Sequence, residues 1–262
     1  MPASLRGATV FLTGASSGIG RELARQLSSG GCRLALFARR RERLEELAVE
    51  LKSAGGVVEV YACDVADRAQ VIASFEQACA ALGDPDLAVL NAGVGGPTPA
   101  NRFVAAELEH IFSVNVFGVV YALEFLLPRF LERGAGHLGV VSSIAAYRGL
   151  PGSSAYGASK AAVTNLCEGL RIELAQTGVV LTTISPGFVE SEMTADHTFK
   201  MPFLWPVDRA ARRIVGGLRR RQREIHFPWQ MSLSFGLARA LPNWLWDALV
   251  RWIDPRGALK PR

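Results

Sequence analysis

Nothing in this chain of 262 residues is spaced to hold a metal. Its four histidines, His110, His137, His197 and His226, are scattered, and its four cysteines, Cys32, Cys63, Cys79 and Cys167, form no Cys-x-x-Cys pair. The cysteines therefore read as reduced packing residues of a cytoplasmic protein, and no metal site is expected. Pro/Ser-rich linkers, internal repeats and low-complexity runs are missing too, so residues 1–262 are expected to form one domain. No apolar signal core stands at Met1 to Arg6. A membrane span is also lacking: the longest apolar stretch, Ile111 to Pro128, carries Asn115 and Glu124 and reads as a buried helix. Lysine is scarce among the 29 basic residues, and arginine clusters stand at 39–41 and 219–221. Both lie at predicted element ends instead of alternating with exposed aromatics, so the net charge of +5 does not imply a nucleic-acid partner.

What is present is the composition of a soluble globular chain, 49% hydrophobic and 20% charged. Ala8 to Leu12 reads as a buried strand, followed at once by Thr13-Gly14-Ala15-Ser16-Ser17-Gly18-Ile19-Gly20 and a helical pattern in Leu23, Ala24 and Leu27. Strand, glycine turn and helix in that order predict a dinucleotide pyrophosphate site: the glycines admit close backbone approach and the helix start supplies N–H donors. A second strand, Arg33 to Ala38, ends in Arg39 where an acidic residue would select NAD. Arg39 suits a 2′-phosphate and favours NADP, and Ser16 supplies a second donor. A third strand, Val57 to Ala62, delivers Asp64-Val65, where Asp64 either orients an adenine amino group or caps the next helix. A fourth, Leu87 to Leu90, ends in Asn91-Ala92-Gly93. One long helix is expected from Ala105 to Glu132, with Asn115 on its apolar face as either a satisfied core amide or a site residue. Strands at His137 to Val141, Val179 to Ile184 and Glu224 to Phe227 follow. The fold expected is α/β, a doubly wound, Rossmann-like parallel sheet of about seven strands with helices on both faces and a C-terminal helical extension.

The fifth strand delivers Ser142-Ser143, and Tyr156-Gly157-Ala158-Ser159-Lys160 follows. On a helix, Tyr156 and Lys160 share a face. The phenol is a weak acid on its own, and a nearby ammonium favours its ionised form, so the pair suits proton exchange with a carbonyl or alcohol oxygen.

With these motifs the chain closely resembles the short-chain dehydrogenase/reductase family over about residues 5–194. The resemblance rests on Thr13-Gly14-x-x-x-Gly18-x-Gly20, Asn91-Ala92-Gly93, Asn115, Ser143, Tyr156-x-x-x-Lys160 and Pro186-Gly187. It implies a catalytic tetrad of Asn115, Ser143, Tyr156 and Lys160, and nicotinamide contacts from Ile184 to Val189, with Ser191 in place of a common threonine. It further implies hydride exchange between NADP(H) and a carbonyl or secondary alcohol. In that reading Tyr156 moves the proton, Ser143 orients the substrate oxygen, and Lys160 lowers the Tyr156 pKa and holds the nicotinamide ribose. Asn115 holds a water for proton resupply. An epimerase or dehydratase, or a nucleotide-binding scaffold, are the alternatives; length and the glycine motif argue against the former and the intact tetrad against the latter.

The core is expected over about residues 5–228 and an apolar substrate loop over about 190–207, containing Phe199, Met201, Phe203, Leu204 and Trp205 and suited to a lipophilic ketone. The family commonly pairs helices matching 105–132 and 155–176, which implies a homodimer or homotetramer. In the extension, residues 229–262, Asn243 is a predicted N-cap and Trp244, Ala248 and Trp252 recur every four residues until Pro255. This stripe is expected to pack on the same subunit or a partner, with peripheral membrane contact as the alternative.

Overall fold

The structure is a computed structural model describing residues 5–195 and 201–253. Phe199 of the apolar loop, His197, Pro255 and the start of the chain lie outside the described residues.

Seven parallel strands form one sheet in the order β3-β2-β1-β4-β5-β6-β7. They are β1 (Thr9–Thr13), β2 (Arg33–Ala38), β3 (Val57–Ala62), β4 (Leu87–Leu90), β5 (Gly136–Val141), β6 (Val179–Pro186) and β7 (Glu224–Phe227). The sequence TVFLT of β1 is buried throughout, because a central parallel strand is covered on both faces. At the edge, β3 leaves Val57, Glu59 and Ala62 exposed. The strand order reverses between β1 and β4, which opens a crevice beyond their carboxyl ends.

Helices cover both faces. On one side α1 (Gly18–Ser29), α2 (Arg41–Ser53) and α8 (Val207–Arg219) bury Leu23, Leu27, Leu44, Leu47, Ile214 and Leu218. On the other, α3 (Arg68–Leu82), α5 (Gly118–Arg133) and α6 (Ser154–Glu173) bury Phe75, Leu126, Phe130, Val163 and Cys167. Phe75 packs at 5.4 Å from Phe11 and 4.6 Å from Phe37, pinning α3 to the sheet. Asp67 caps α3 by accepting from the Ala69 and Gln70 N–H groups, while Asp64 accepts from Ala66 N in the preceding turn. The helix-cap reading of Asp64 is thereby corrected.

The long helix expected from Ala105 runs unbroken to Arg133, as α4 (Ala105–Phe112), a π-helical turn at Ser113–Phe117, and α5. The wider turn carries Asn115, whose hydrogen bonds are described below. The stretch is long and apolar enough to cross a membrane by composition. In the fold its second half lies against α3 and β5, where Val119, Leu123, Leu126 and Phe130 are buried.

The tail also differs. After the short α7 (Glu192–Ala195), α9 (Trp229–Arg239) and α10 (Asn243–Ile253) follow β7. The α10 residue that docks is Trp246, whose Nε1–H donates to the Gly149 carbonyl at 3.1 Å and whose ring meets Phe235 and the Arg148 guanidinium. The predicted stripe faces away: Trp244 is 72% and Trp252 80% exposed. Asn243 accepts from Arg148 instead of capping the helix. Periodicity identifies a stripe; it does not say which side of a helix the core will claim.

One buried titrating group on β5 sets an acid limit on stability. The Nε2–H of His137 donates at 2.8 Å to Thr182 Oγ1, whose own hydroxyl donates to the Gln222 carbonyl at 2.6 Å. Burial, seconded by the Arg221 charge, pulls this imidazole from 6.5 to about 4. Between about pH 6.5 and 4 the unfolded chain binds a proton that the folded chain refuses. Stability from this site is therefore intact above that window and lost as pH falls through it, by roughly 3 kcal/mol at 1.36 kcal/mol per unit. Urea melts near neutral pH and near pH 4.5 are expected to show this loss and its reduction in His137→Gln; an unchanged loss would place the acid sensitivity elsewhere.

Candidate active site

The carboxyl ends of β1, β4, β5 and β6 bring the predicted residues to one edge. The glycine turn after β1 works through close packing. A Cβ on Gly20 would lie 2.2 Å from the Gly14 carbonyl oxygen, so only glycine lets α1 start against the turn. Ser17, the N-cap of α1, makes no side-chain cap hydrogen bond, and the first turn, which includes Ile19, holds no acidic residue. That end offers N–H donors and a favourable dipole to an anion.

Asn91 reinforces this turn. Its side-chain N–H groups donate to the Thr13 and Gly14 carbonyls at 3.1 and 3.2 Å, and the Asn91 and Ala92 backbone N–H groups donate to Thr13 Oγ1 at 3.0 and 3.1 Å. The Asn91 amide thus ties β4 to the glycine loop and is not turned toward a ligand. Val65 is buried, with its side chain and its carbonyl against the position a Gly118 Cβ would take.

The π turn places Asn115 fully out of solvent. Its Oδ1 accepts from Val94 N at 2.8 Å, and its Nδ2 donates to the Val94 carbonyl and to Ser159 Oγ, each at 2.9 Å. Ser159 Oγ in turn donates to the Tyr156 carbonyl at 2.7 Å. An amide with four hydrogen-bonding positions needs such partners once buried, and from the π turn it reaches both Val94 and Ser159. Ser159 was not singled out from the sequence, although it sits beside Lys160.

Lys160 is 3% exposed, and its ammonium donates to the Val141 carbonyl at 2.8 Å. No carboxylate pairs with it among the described residues, and burial pulls it from 10.5 to about 8. A Cβ at Gly93 would crowd both Lys160 Nζ, at 3.3 Å, and Asn115 Oδ1, at 3.2 Å, so the Asn-Ala-Gly turn ends in glycine to admit these two groups. Behind the helix, Ser142 Oγ donates to the Lys160 carbonyl at 3.0 Å.

Tyr156 corrects one expectation. Burial pushes its phenol above the ordinary value, and a hydrogen bond with Ser143 pulls it partly back. The Lys160 ammonium, engaged with the Val141 carbonyl, lies 5.8 Å from the Tyr156 ring centroid, and burial outweighs whatever favour it lends the ionised phenol. Ser143 Oγ also accepts from Ala145 N at 3.1 Å, which fixes its position.

On the far side, the residues after β6 return toward the glycine turn. Pro186 ends β6, Gly187 N donates to the Phe227 carbonyl at 2.7 Å, and Val189 bridges to Trp205. Trp205 stacks on Phe227 with centroids 5.1 Å apart, so this ring anchors the loop, whereas Phe203 and Leu204 stay exposed. A Cβ on Gly18 would lie 3.2 Å from Ser191 Cβ, which shows how closely the loop approaches the turn.

At the end of β2 the arginines divide. Arg39 is exposed and makes no hydrogen bond or ion pair among the described residues. Arg40 instead reaches over the glycine loop, donating to Ser17 Oγ at 2.7 Å and Ser16 Oγ at 3.1 Å. A separate cavity of about 310 Å³ between α6, β7 and α9, lined by Tyr147, Glu168, Glu224 and His226, contains none of the tetrad.

The short chain dehydrogenase family model matches residues 8–201. An uncharacterized oxidoreductase of Myxococcus xanthus (strain DK1622) is 42% identical over 243 residues, 93% of this chain and 96% of that protein. Among solved structures, a short-chain dehydrogenase/reductase of Burkholderia phymatum in complex with NAD superposes with a TM-score of 0.83 at 25% identity, covering 89% of this chain and 93% of that one. A variant of actinorhodin polyketide ketoreductase with NADPH superposes at 0.77 and 25% identity, covering 86% and 97%. This chain belongs to the short-chain dehydrogenase/reductase family. It is an oxidoreductase of that family with a nicotinamide-cofactor fold.

Proposed function

We propose that the enzyme exchanges hydride between NADP(H) and a carbonyl or secondary alcohol, with a lipophilic ketone as substrate. The observation that carries this reading is the convergence of Ser143, Tyr156, Lys160 and the Asn115–Ser159 network at the edge where α1 presents uncapped N–H donors. The bound nicotinamide supplies or accepts the hydride. Tyr156 holds the proton for the substrate oxygen, in reach of Ser143, which orients that oxygen. Lys160, a cation in a dry setting, holds the ribose hydroxyls and is resupplied with protons through the site that Asn115 organises. Gly14, Ser16, Ser17, Gly18, Ile19 and Gly20 hold the pyrophosphate; Asp64 and the Val65 backbone face the adenine. Asn91, Ala92 and Gly93 line the groove, while Pro186, Gly187, Val189 and Ser191 face the carboxamide. The exposed Phe203 and Leu204 support an apolar substrate, as does the likeness to a polyketide ketoreductase.

For the 2′-phosphate, the arrangement supports a pair: Arg39, uncommitted at the strand end, and Arg40, already over Ser16. Loss of one charge-assisted contact removes about 1.5–3 kcal/mol, roughly ten- to a hundredfold in affinity. Arg39→Ala and Arg40→Ala are each expected to weaken NADPH by that factor and leave NADH within about twofold. Titration of both cofactors alongside a ketone and alcohol screen tests the whole reading, and equal loss of both cofactors would refute the phosphate assignment.

The enzyme is proposed to be a homodimer or homotetramer through α5 and α6, where Leu131 and Ile172 are exposed. Sedimentation showing only monomer at micromolar concentration counts against this. The outward Trp244 and Trp252 support the peripheral-membrane reading of a cytoplasmic protein. Vesicle flotation is expected to fall when residues 243–262 are deleted, and equal flotation removes that idea.

A further inference from the structure

Arg40 has a second partner besides the glycine-loop hydroxyls. Its Nη1 donates to Glu192 Oε2 at 2.8 Å, and Arg43 Nη1 donates to the other oxygen, Glu192 Oε1. Glu192 opens α7, immediately after Ser191, and is some 150 positions from both arginines in the chain. One carboxylate therefore draws together the adenosine side of the groove, carried by β2 and α2, and the substrate side, carried by the loop after β6. The two arginines also hold the Glu192 carboxyl below its usual pKa, Arg40 foremost, so it is anionic at neutral pH.

We infer that Glu192 is a determinant of cofactor choice, because its carboxylate occupies the guanidinium donors that a 2′-phosphate would use. This rests on the dinucleotide reading above. A carboxylate offers two oxygens and one charge in the place where a phosphate would offer three oxygens and nearly two charges. The two anions compete for Arg40, the arginine set over Ser16, while Arg43 helps hold the carboxylate that the phosphate must displace. The phosphate of NADP(H) displaces Glu192, whereas the uncharged ribose hydroxyl of NAD(H) leaves the carboxylate bound. All three side chains are about half exposed, at 42%, 44% and 52%, so solvent and salt weaken the ion pairs and displacement is reversible. Displacement also frees the start of the substrate loop from the adenosine side, coupling the identity of the cofactor to that loop.

The test uses two probes that differ only by the 2′-phosphate, adenosine 2′,5′-bisphosphate and adenosine 5′-monophosphate, titrated calorimetrically into the full chain. Glu192→Gln removes the competing charge at an exposed position where folding is not at stake. It is expected to tighten the bisphosphate by roughly three- to tenfold, the range of one or two exposed ion pairs, and to leave the monophosphate within about twofold. In an Arg40→Ala background the gain is expected to shrink, since the contested guanidinium is gone. Weaker bisphosphate binding, or equal change for both probes, would mean that Glu192 straps the groove shut over any dinucleotide, and the inference falls. If the wild type prefers the bisphosphate and Glu192→Gln alters nothing, the inference falls while the NADP reading stands. If the wild type shows no preference and Glu192→Gln creates one, the competition stands and the NADP reading of the native enzyme falls. If neither chain discriminates, both fall.

Discussion

Tyr156→Phe is expected to lower kcat by at least about 10³-fold on any accepted substrate while leaving cofactor affinity within about twofold. The substitution removes one oxygen and keeps the ring. The ring's surroundings are unaffected, and so are Lys160 on Val141 and the Asn115–Ser159 network. What disappears is the only hydroxyl in the proposed scheme that carries a transferable proton next to Ser143. A hydride cannot reach a carbonyl carbon productively unless the oxygen gains a proton, so the loss falls on the transition state and not on binding. Because burial raises the Tyr156 phenol, the protonated donor persists across the neutral range. Single-turnover absorbance of NADPH together with a fluorescence titration checks both halves of the statement, and substantial activity in the phenylalanine variant would remove Tyr156 from the mechanism.

Lys160→Met is expected to abolish most activity and, at the same time, to stabilise the fold. The ammonium is buried with a single carbonyl partner, and its pKa falls from 10.5 to about 8. Below about pH 8 both folded and unfolded chains carry the proton and the burial penalty is fully present. Between about pH 8 and 10.5 only the unfolded chain binds it, so stability rises with pH through that window. The whole difference is roughly 3 kcal/mol, from which the cost of leaving the Val141 carbonyl unpartnered is subtracted in the variant. A gain of about 1–2 kcal/mol in urea melts near pH 7 is therefore expected, alongside weaker cofactor binding and a large loss of rate. The wild-type kcat/KM is expected to decline above about pH 8 as the ammonium deprotonates. Destabilisation of the variant at neutral pH would show that the Lys160–Val141 contact outweighs burial.

Much of this architecture can be read from the chain because its signals are local. The bounds of β2 and β4 coincide with apolar runs in the sequence, since a strand covered on both faces must be apolar along its length, and those of the edge strands β3 and β7 with short runs that mix buried and exposed residues. The glycine turn is legible for the same kind of reason: at Gly20 any side chain would strike the Gly14 carbonyl, and that exclusion is written into a short stretch. Tyr156 and Lys160 are legible because helical spacing puts them on one face.

Arg40 escaped notice because alternation is a guide only inside a strand. β2 ends at Ala38, and past that point neighbouring arginines are equivalent in sequence though not in space. The partners of the Asn115 amide were hidden because Val94 and Ser159 lie 21 and 44 residues away. By itself, then, the sequence determined the doubly wound sheet, the glycine turn at the start of α1 and the helix that Tyr156 and Lys160 share. Tertiary structure alone decided which arginine covers Ser16, that Glu192 contests it, and which side of α10 meets the core. It also decided that Lys160 is dry enough to bring its pKa to about 8. Each of these depends on the low dielectric and the fixed distances created when segments far apart in the chain close on one another, and no local pattern encodes them.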